Sequence, residues 1–289
     1  MIRIGIVGSD NSHALAFSQL LNTEKGAGDP RWSDAKCVAL YGTDQARNQE
    51  VAEKGKIPHI SPTLEDMLDR VDAVMVVWRH GDLHCSHALP FLRAGKPVFV
   101  DKPFAIKLED CQAMLDAAHY FGAPVTSFST TRWTPSLHAL AARKDEYGDL
   151  LMGQVSGPAD LESEYGGVFF YANHAVEMML QLFGHGAEGI YSRAAQGNVN
   201  SIVRWPDGKL VNLNLHKSAK AAYSATLHGT KGWLSSTIDI GGCYADGMDV
   251  FLKMVRTRVR PLTDAQLLEP TKLLHALLRS VESGREETI

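Results

Sequence analysis

Across residues 1–128, short β-branched runs alternate with helical patterns, and this alternation constrains the fold more than any other feature of the chain. Strand–helix–strand units close as right-handed crossovers, which build a parallel sheet with helices on both faces. Strands are expected at residues 2–7, 37–41, 73–78, 98–101 and 124–128, with a weaker one at 57–60. Helices fit between them. Leu64, Met67 and Leu68 recur at helical spacing after the start signal Ser61-Pro62-Thr63. Leu108, Cys111, Met114, Leu115 and Ala118 form one apolar stripe. The expected class is α/β, with a doubly wound sheet over residues 1–128.

From about Thr134 the pattern changes, so residues 129–289 are expected to form a second, α+β domain. It opens with a helix to about Glu146, a Gly/Pro-bearing stretch at 153–158 and an apolar helix over 174–183. Alternating runs at 201–205 and 210–215 flank the turn Pro206-Asp207-Gly208. Runs at 222–228 and 233–240 flank Gly229-Thr230-Lys231-Gly232 in the same way, giving a mainly antiparallel sheet. Amphipathic helices at 248–255 and 264–280 close the chain.

Composition narrows the partners. With 45% apolar residues in 289, the chain has ample material for buried cores. Lys plus Arg total 29 against 33 Asp plus Glu, a net charge of −4 with no block of like charge. Nucleic acid and anionic membrane are therefore excluded as main partners, and a small molecule is expected. The apolar stretches fall far short of the roughly 20 residues that span a bilayer, and no secretion signal precedes Ile2, so a cytoplasmic location is expected. Cys37, Cys85, Cys111 and Cys243 show no C-x-x-C pairing and read as packed, reduced thiols.

The loop after the first strand, Gly8-Ser9-Asp10-Asn11-Ser12-His13, leads into a helix. In a dinucleotide fold this turn faces the pyrophosphate, because helix N-terminal amides and the helix dipole favour an anion there. The G-x-G-x-x-G fingerprint is altered: Gly8 remains, Asp10 takes the second glycine position and His13 the third. The same residues also read as an ordinary polar turn with Ser12 as N-cap. The second strand ends in Tyr41-Gly42-Thr43-Asp44, with Gly42 where an acid normally receives the ribose hydroxyls. Either Asp44 reaches back or the ribose is held otherwise, with Thr43 and Arg47 the nearby candidates. Loss of the acid keeps both NAD and NADP open.

The sharpest signal is Val98-Phe99-Val100-Asp101-Lys102-Pro103, a charged pair at the carboxyl end of a parallel strand, in the crevice where open α/β sheets bind ligands. Here the chain resembles the Gfo/Idh/MocA family, whose hallmark is a strand ending in E-K-P or D-K-P. The likeness extends to His84, the helix at 109–120, the segment from Gly166-Gly167 through His174 to Gly184, and Gly229-Thr230-Lys231-Gly232. It implies a Rossmann domain, an NAD or NADP cofactor, and Pro103 holding Lys102 in place through a cis peptide. It implies that Lys102 and His174 act beside the nicotinamide, that Asp101 and Pro103 line the cofactor site, and that His84 contacts the nicotinamide ribose. Trp78-Arg79 departs from the small and Pro residues common at this strand end, so Trp78 is expected in the cofactor site with a floor narrower or more cationic than in relatives. The family's Asp, four residues before the His, is Phe170 here. Tyr171 and Asn173 are candidates for a polar role. Glu177, one helical turn after His174, shares its face and is expected to hydrogen bond or co-ligate with it. Arg132 and Trp133 are expected to meet substrate.

The run His80-x3-His84-Cys85-x-His87 has helical metal spacing but lacks a fourth ligand, and no metal is expected. The reading is an oxidoreductase moving a hydride between nicotinamide and a small polyol, sugar or related hydroxy compound. Lys102 would stabilise the alkoxide and exchange the proton, with His174 as base or relay. Two alternatives stay open: a catalytically degenerate binder of dinucleotide or sugar, and a lyase or hydrolase using NAD transiently. The family's antiparallel sheet, with an apolar outer face, implies a homo-oligomer, a dimer or tetramer.

Overall fold

The computed structural model describes residues 1–23, 29–219 and 222–289. They divide into two compact units, Met1–Phe128 with Tyr244–Leu267, and Ser129–Cys243 with Leu268–Ile289. The assignment of all of 129–289 to one domain is thus corrected for Tyr244–Leu267.

In the first unit the elements run β1 (Ile2–Val7), α1 (Ser12–Asn22), β2 (Ala35–Tyr41), α2 (Gln45–Gly55), β3 (His59–Ile60), α3 (Leu64–Leu68), β4 (Ala73–Val76), α4 (His84–Arg93), β5 (Val98–Val100), α5 (Leu108–Tyr120) and β6 (Val125–Ser127). The six strands lie in the order β3-β2-β1-β4-β5-β6, every pair parallel. This doubly wound order reverses direction beside β1, where such sheets bind dinucleotides. All residues of β4, β5 and β6 are buried, as strands covered on both faces must be. A Cβ on Gly5 would lie 2.7 Å from Met67 Sδ, so glycine there lets the core close under β1.

A later helix completes this unit. Helix α8 (Cys243–Thr257) lies, from Tyr244 on, within it. Asp249 accepts from Trp32 Nε1 at 2.6 Å and from Arg31 at 2.6 Å, while Arg256 pairs with Asp34 at 2.6 Å. These polar clamps join positions more than 200 residues apart, beyond any local sequence signal.

The second unit contains α6 (Pro135–Ala142), β7 (Leu150–Pro158), α7 (Val168–Phe183), β8 (Gly189–Ala195), β9 (Asn198–Arg204), β10 (Leu210–His216), β11 (Tyr223–Gly229), β12 (Gly232–Ile238), most of α9 (Asp264–Ser283) and β13 (Glu287–Thr288). Its sheet has the order β12-β11-β7-β10-β9-β8-β13, antiparallel except for the β10–β7 pair. The Gly/Pro-bearing stretch at 153–158 lies in β7, inside the sheet. Gly153 and Gly157 point inward, and added Cβ atoms would meet the rings of Phe183 at 2.0 Å and Tyr223 at 2.8 Å. Glycine here makes room for aromatic rings against the strand. The helix expected to 146 ends at Ala142 and gives way to a 3-10 turn at Lys144–Tyr147, and α7 begins six residues before His174.

The outer sheet face is largely polar, which corrects the apolar face the family likeness implied. Thr226 and Ser235 hydroxyls bond at 2.9 Å, and Asn200 donates to Asn214 at 2.5 Å. Exposed Trp233, Met152 and Leu210 gather at one end of it.

Candidate active site

The phosphate loop is built from the end of β1. Gly8 has φ +105°, and a Cβ there would lie 2.7 Å from the Trp78 backbone nitrogen, so only glycine lets the chain turn against β4. Trp78, 3% exposed, is the floor under this turn. Asn11 caps α1, its Oδ1 accepting from His13 N at 3.2 Å, so the N-cap is Asn11 and not Ser12. Ser12 is exposed at the first helical position. Asp10, in place of a glycine, turns its carboxylate to the Arg79 amide at 3.3 Å. Its charge is partly answered there.

At the end of β2 the missing acid has a steric cause. A Cβ on Gly42 would sit 2.2 Å from Asn48 Oδ1 and 2.3 Å from Ser9 Oγ, both on buried side chains. Asp44 does not reach back: it caps α2 by accepting from Arg47 N at 3.1 Å. Arg47 ties the two loops, donating to Ser9 O at 2.9 Å and pairing with Glu50 at 2.5 Å. Thr43 is exposed beside them. A glycine turn at a helix N-terminus fits a dinucleotide pyrophosphate, whereas recognition of the adenosine ribose by an acid at position 42 is closed off.

After β5 come Asp101 and Lys102, 1% and 3% exposed, and the Lys102–Pro103 peptide is cis. Asp101 Oδ2 pairs with His13 Nδ1 and accepts from Asn11 Nδ2 at 3.4 Å, while Oδ1 accepts from the Lys102 amide at 2.9 Å. Burial pushes the Asp101 carboxyl up, but His13 and Lys102 outweigh it and hold it down to about 2. Burial dominates for Lys102 and lowers it to about 8; Asp101 opposes this and Arg79 adds to it. An amine lowered to about 8 at the carboxyl end of a parallel strand has the properties of a proton-transfer group.

His84 takes a different place from the expected one. It is fully buried, with Nδ1 2.7 Å from Pro103 O and Nε2 2.8 Å from Trp78 O, so both ring nitrogens are committed to backbone. It braces the β4 exit against the β5 exit instead of contacting a nicotinamide ribose. Burial lowers its pKa, against the pull of these carbonyls, and a neutral ring donates to only one of them. His80 caps the Gly81–Leu83 turn, and His87 Nδ1 lies 2.7 Å from Leu83 O. Among the described residues no group of three or more His, Cys, Asp or Glu is arranged to hold a metal.

In the second unit His174 lies on α7, 8% exposed, its Nδ1 2.6 Å from Ser129 Oγ, which also bonds Thr131 Oγ1 at 2.6 Å. Rings surround it: Tyr171 at 6.0 Å and Tyr223 at 6.1 Å, with Phe170 packed 4.7 Å from Tyr171 and 5.0 Å from Tyr165. Phe170 thus extends an aromatic wall where the family likeness led a carboxylate to be expected. Tyr171 is 44% exposed, and Asn173 is buried with its Oδ1 lacking a hydrogen-bond partner among the described residues. Glu177 is engaged by Arg132, at 2.7 Å, and not by His174 as its spacing implied. Burial raises the Glu177 carboxyl, with Arg132 pulling the other way. Arg132, 3% exposed, also meets His185 Nε2 at 2.9 Å, and His185 Nδ1 meets Glu269 at 2.5 Å. The chain Glu177–Arg132–His185–Glu269 is a buried polar network, which makes Arg132 structural instead of substrate-facing. Trp133 stacks on His138 at 6.0 Å. Sequence reasoning missed His185, Glu269 and Ser129, which carry no motif.

Residues 2–127 match the GFO_IDH_MocA family model, "Oxidoreductase family, NAD-binding Rossmann fold". Trans-1,2-dihydrobenzene-1,2-diol dehydrogenase of Oryctolagus cuniculus is 24% identical over 220 residues, 69% of this chain and 67% of that protein. Inositol 2-dehydrogenase 3 of Saccharopolyspora erythraea is 31% identical over 119 residues, 40% of this chain and 32% of that protein. Among solved structures, myo-inositol dehydrogenase from Lactobacillus casei in complex with NAD(H) and myo-inositol has a TM-score of 0.84 at 16% identity, over 100% of this chain and 97% of that one. At that identity the likeness shows a shared fold.

Proposed function

We propose that this chain, whose residues 2–127 match the Gfo/Idh/MocA family model, is a member of that family and an NAD(P)-dependent dehydrogenase of cyclic secondary alcohols. The observation that carries this reading is the buried Lys102 at the carboxyl end of β5, its amine lowered to about 8. A bound nicotinamide would supply the acceptor for the hydride of the alcohol carbon. The loop from Gly8 to His13 would hold its pyrophosphate through the α1 amides, with Ser9, Asn11 and Ser12 in reach. Lys102 stabilises the alkoxide oxygen and exchanges its proton, and His174, steadied by Ser129, is the base or relay. These two roles are carried over residue by residue from the family and each is tested by its own substitution.

The dihydrobenzene diol and inositol named for the relatives share a ring with adjacent secondary hydroxyls. The tyrosines and Phe170 about His174 favour a ring with an apolar face over a fully hydroxylated one. Turnover of a cyclohexane or cyclohexadiene 1,2-diol and of myo-inositol, followed by cofactor reduction with NAD and with NADP, tests the class. Lys102→Ala is expected to abolish turnover while leaving NADH affinity, read by tryptophan fluorescence, within a few-fold. Binding of neither NADH nor NADPH would refute the reading. Binding without oxidation of any alcohol would favour a degenerate binder.

A further inference from the structure

We propose that His13 is a positioning residue for Lys102, acting through Asp101. The inference rests on the proposed role of Lys102, but its geometry is independent of that role. His13 stands at the third glycine position of the phosphate-loop fingerprint, so a side chain exists where the usual pattern has none. Its Nδ1 pairs with Asp101 Oδ2 across 88 residues of sequence, and the two side chains are 11% and 1% exposed. Asn11 Nδ2 reaches the same oxygen at 3.4 Å. The other oxygen, Oδ1, accepts the Lys102 amide at 2.9 Å. The edges of Tyr244 at 5.0 Å and Phe17 at 5.9 Å fix the imidazole plane. α1 thereby clamps the carboxylate of the residue that precedes Lys102 and holds its backbone amide.

The consequence for Lys102 follows from elementary electrostatics. Asp101 stabilises the ammonium form, and Arg79 opposes it. A carboxylate whose oxygen already receives a ring N–H and an amide has less negative charge to offer a third group, and it cannot swing toward the amine. This holds whether His13 donates as imidazole or as imidazolium. Without His13, Asp101 turns its full charge on Lys102 and the amine holds its proton more tightly.

Lysine-selective carbon-13 NMR of the cofactor-free protein tests this without turnover, with the Lys102 signal assigned through Lys102→Arg. Wild type is expected to titrate near pH 8, and His13→Phe, which keeps a ring against Phe17 and Tyr244, to move that midpoint up by about one pH unit. His13→Gln retains an N–H toward Asp101 and is expected to stay close to wild type. An unchanged or lowered midpoint in His13→Phe, or equal shifts in both variants, overturns the proposal. If His13→Phe does not fold, nitrogen-15 NMR of the wild-type ring decides. A proton on Nδ1 throughout the Lys102 titration supports the clamp, and a bare Nδ1 refutes it. Because the readout is a titration in the free protein, it stands even if no alcohol is oxidised.

Discussion

Restoring the ribose-binding acid by Gly42→Asp is the intuitive way to strengthen NAD binding, and the packing at the end of β2 says it fails. The relevant step is already Gly42→Ala. The new Cβ would lie 2.2 Å from Asn48 Oδ1, 2.3 Å from Ser9 Oγ and 2.9 Å from Ser9 Cβ. Neither neighbour is free to leave: Asn48 Nδ2 donates to Gly42 O at 2.8 Å, and the Ser9 backbone is held by Arg47 at 2.9 Å. Overpacking a buried site costs about 1–3 kcal/mol, and losing the Asn48 bond adds about 1 kcal/mol. A cost near 2 kcal/mol lowers the folded-to-unfolded ratio by about thirtyfold. Because two units need not unfold together, the assay is urea-dependent hydrogen exchange at peptides from β1 and β2. A Ser9→Gly background removes the Ser9 side-chain contacts, so the double-mutant cycle is expected to show a coupling of about 1 kcal/mol or more. The reasoning is refuted if Gly42→Ala lies within about 0.5 kcal/mol of wild type, or if Gly42→Asp tightens NADH binding at unchanged stability.

Other outcomes follow from the same geometry. kcat/KM for alcohol oxidation is expected to rise through about pH 8 as Lys102, lowered from 10.5, becomes a neutral proton acceptor; a profile without that inflection counts against its role. Its folded pKa is depressed, so between about 8 and 10.5 the unfolded chain binds more protons and the lysine's contribution to stability rises with pH. Urea midpoints of wild type and Lys102→Met across that window should diverge accordingly. Arg132→Met alone strands Glu177 and is expected to cost about 3–5 kcal/mol, most of it recovered in Arg132→Met with Glu177→Leu; equal loss in both variants would contradict the pairing. Asp249→Ala leaves the Trp32 indole N–H without its carboxylate and is expected to cost about 1.5–3 kcal/mol, measurable by denaturant titration of Trp32 fluorescence.

How much of this was legible depended on the range of the signal. β1 runs as expected, Ile2–Val7, because its residues 4–7, buried on both faces, read as a short run without a polar side chain. The hairpin turns at 206–208 and 229–232 announced themselves through Pro and Gly. β7 was hidden because two of its inward positions, Gly153 and Gly157, are glycines, chosen by Phe183 and Tyr223 rings that arrive from 25 or more residues away. At the site, Lys102 could be named from the end of its strand. The pairing of Asp101 beside it with His13 could not, because the two are 88 residues apart. Glu177 was misassigned for the same reason, since helical spacing pointed to His174 while Arg132, 45 residues earlier, pairs with it.

The return of Tyr244–Leu267 to the first unit has a bearing on how such a chain is made and exchanged. A ribosome releases the six parallel strands long before the helix carrying Asp249 and Arg256, so Trp32, Arg31 and Asp34 wait for partners encoded more than 200 residues later. A graft that transplants residues 1–128 as a cassette would carry half of each clamp. Recombination between cousins would have to take two separate stretches of gene together, which ties the inheritance of the coenzyme module to that of its neighbour.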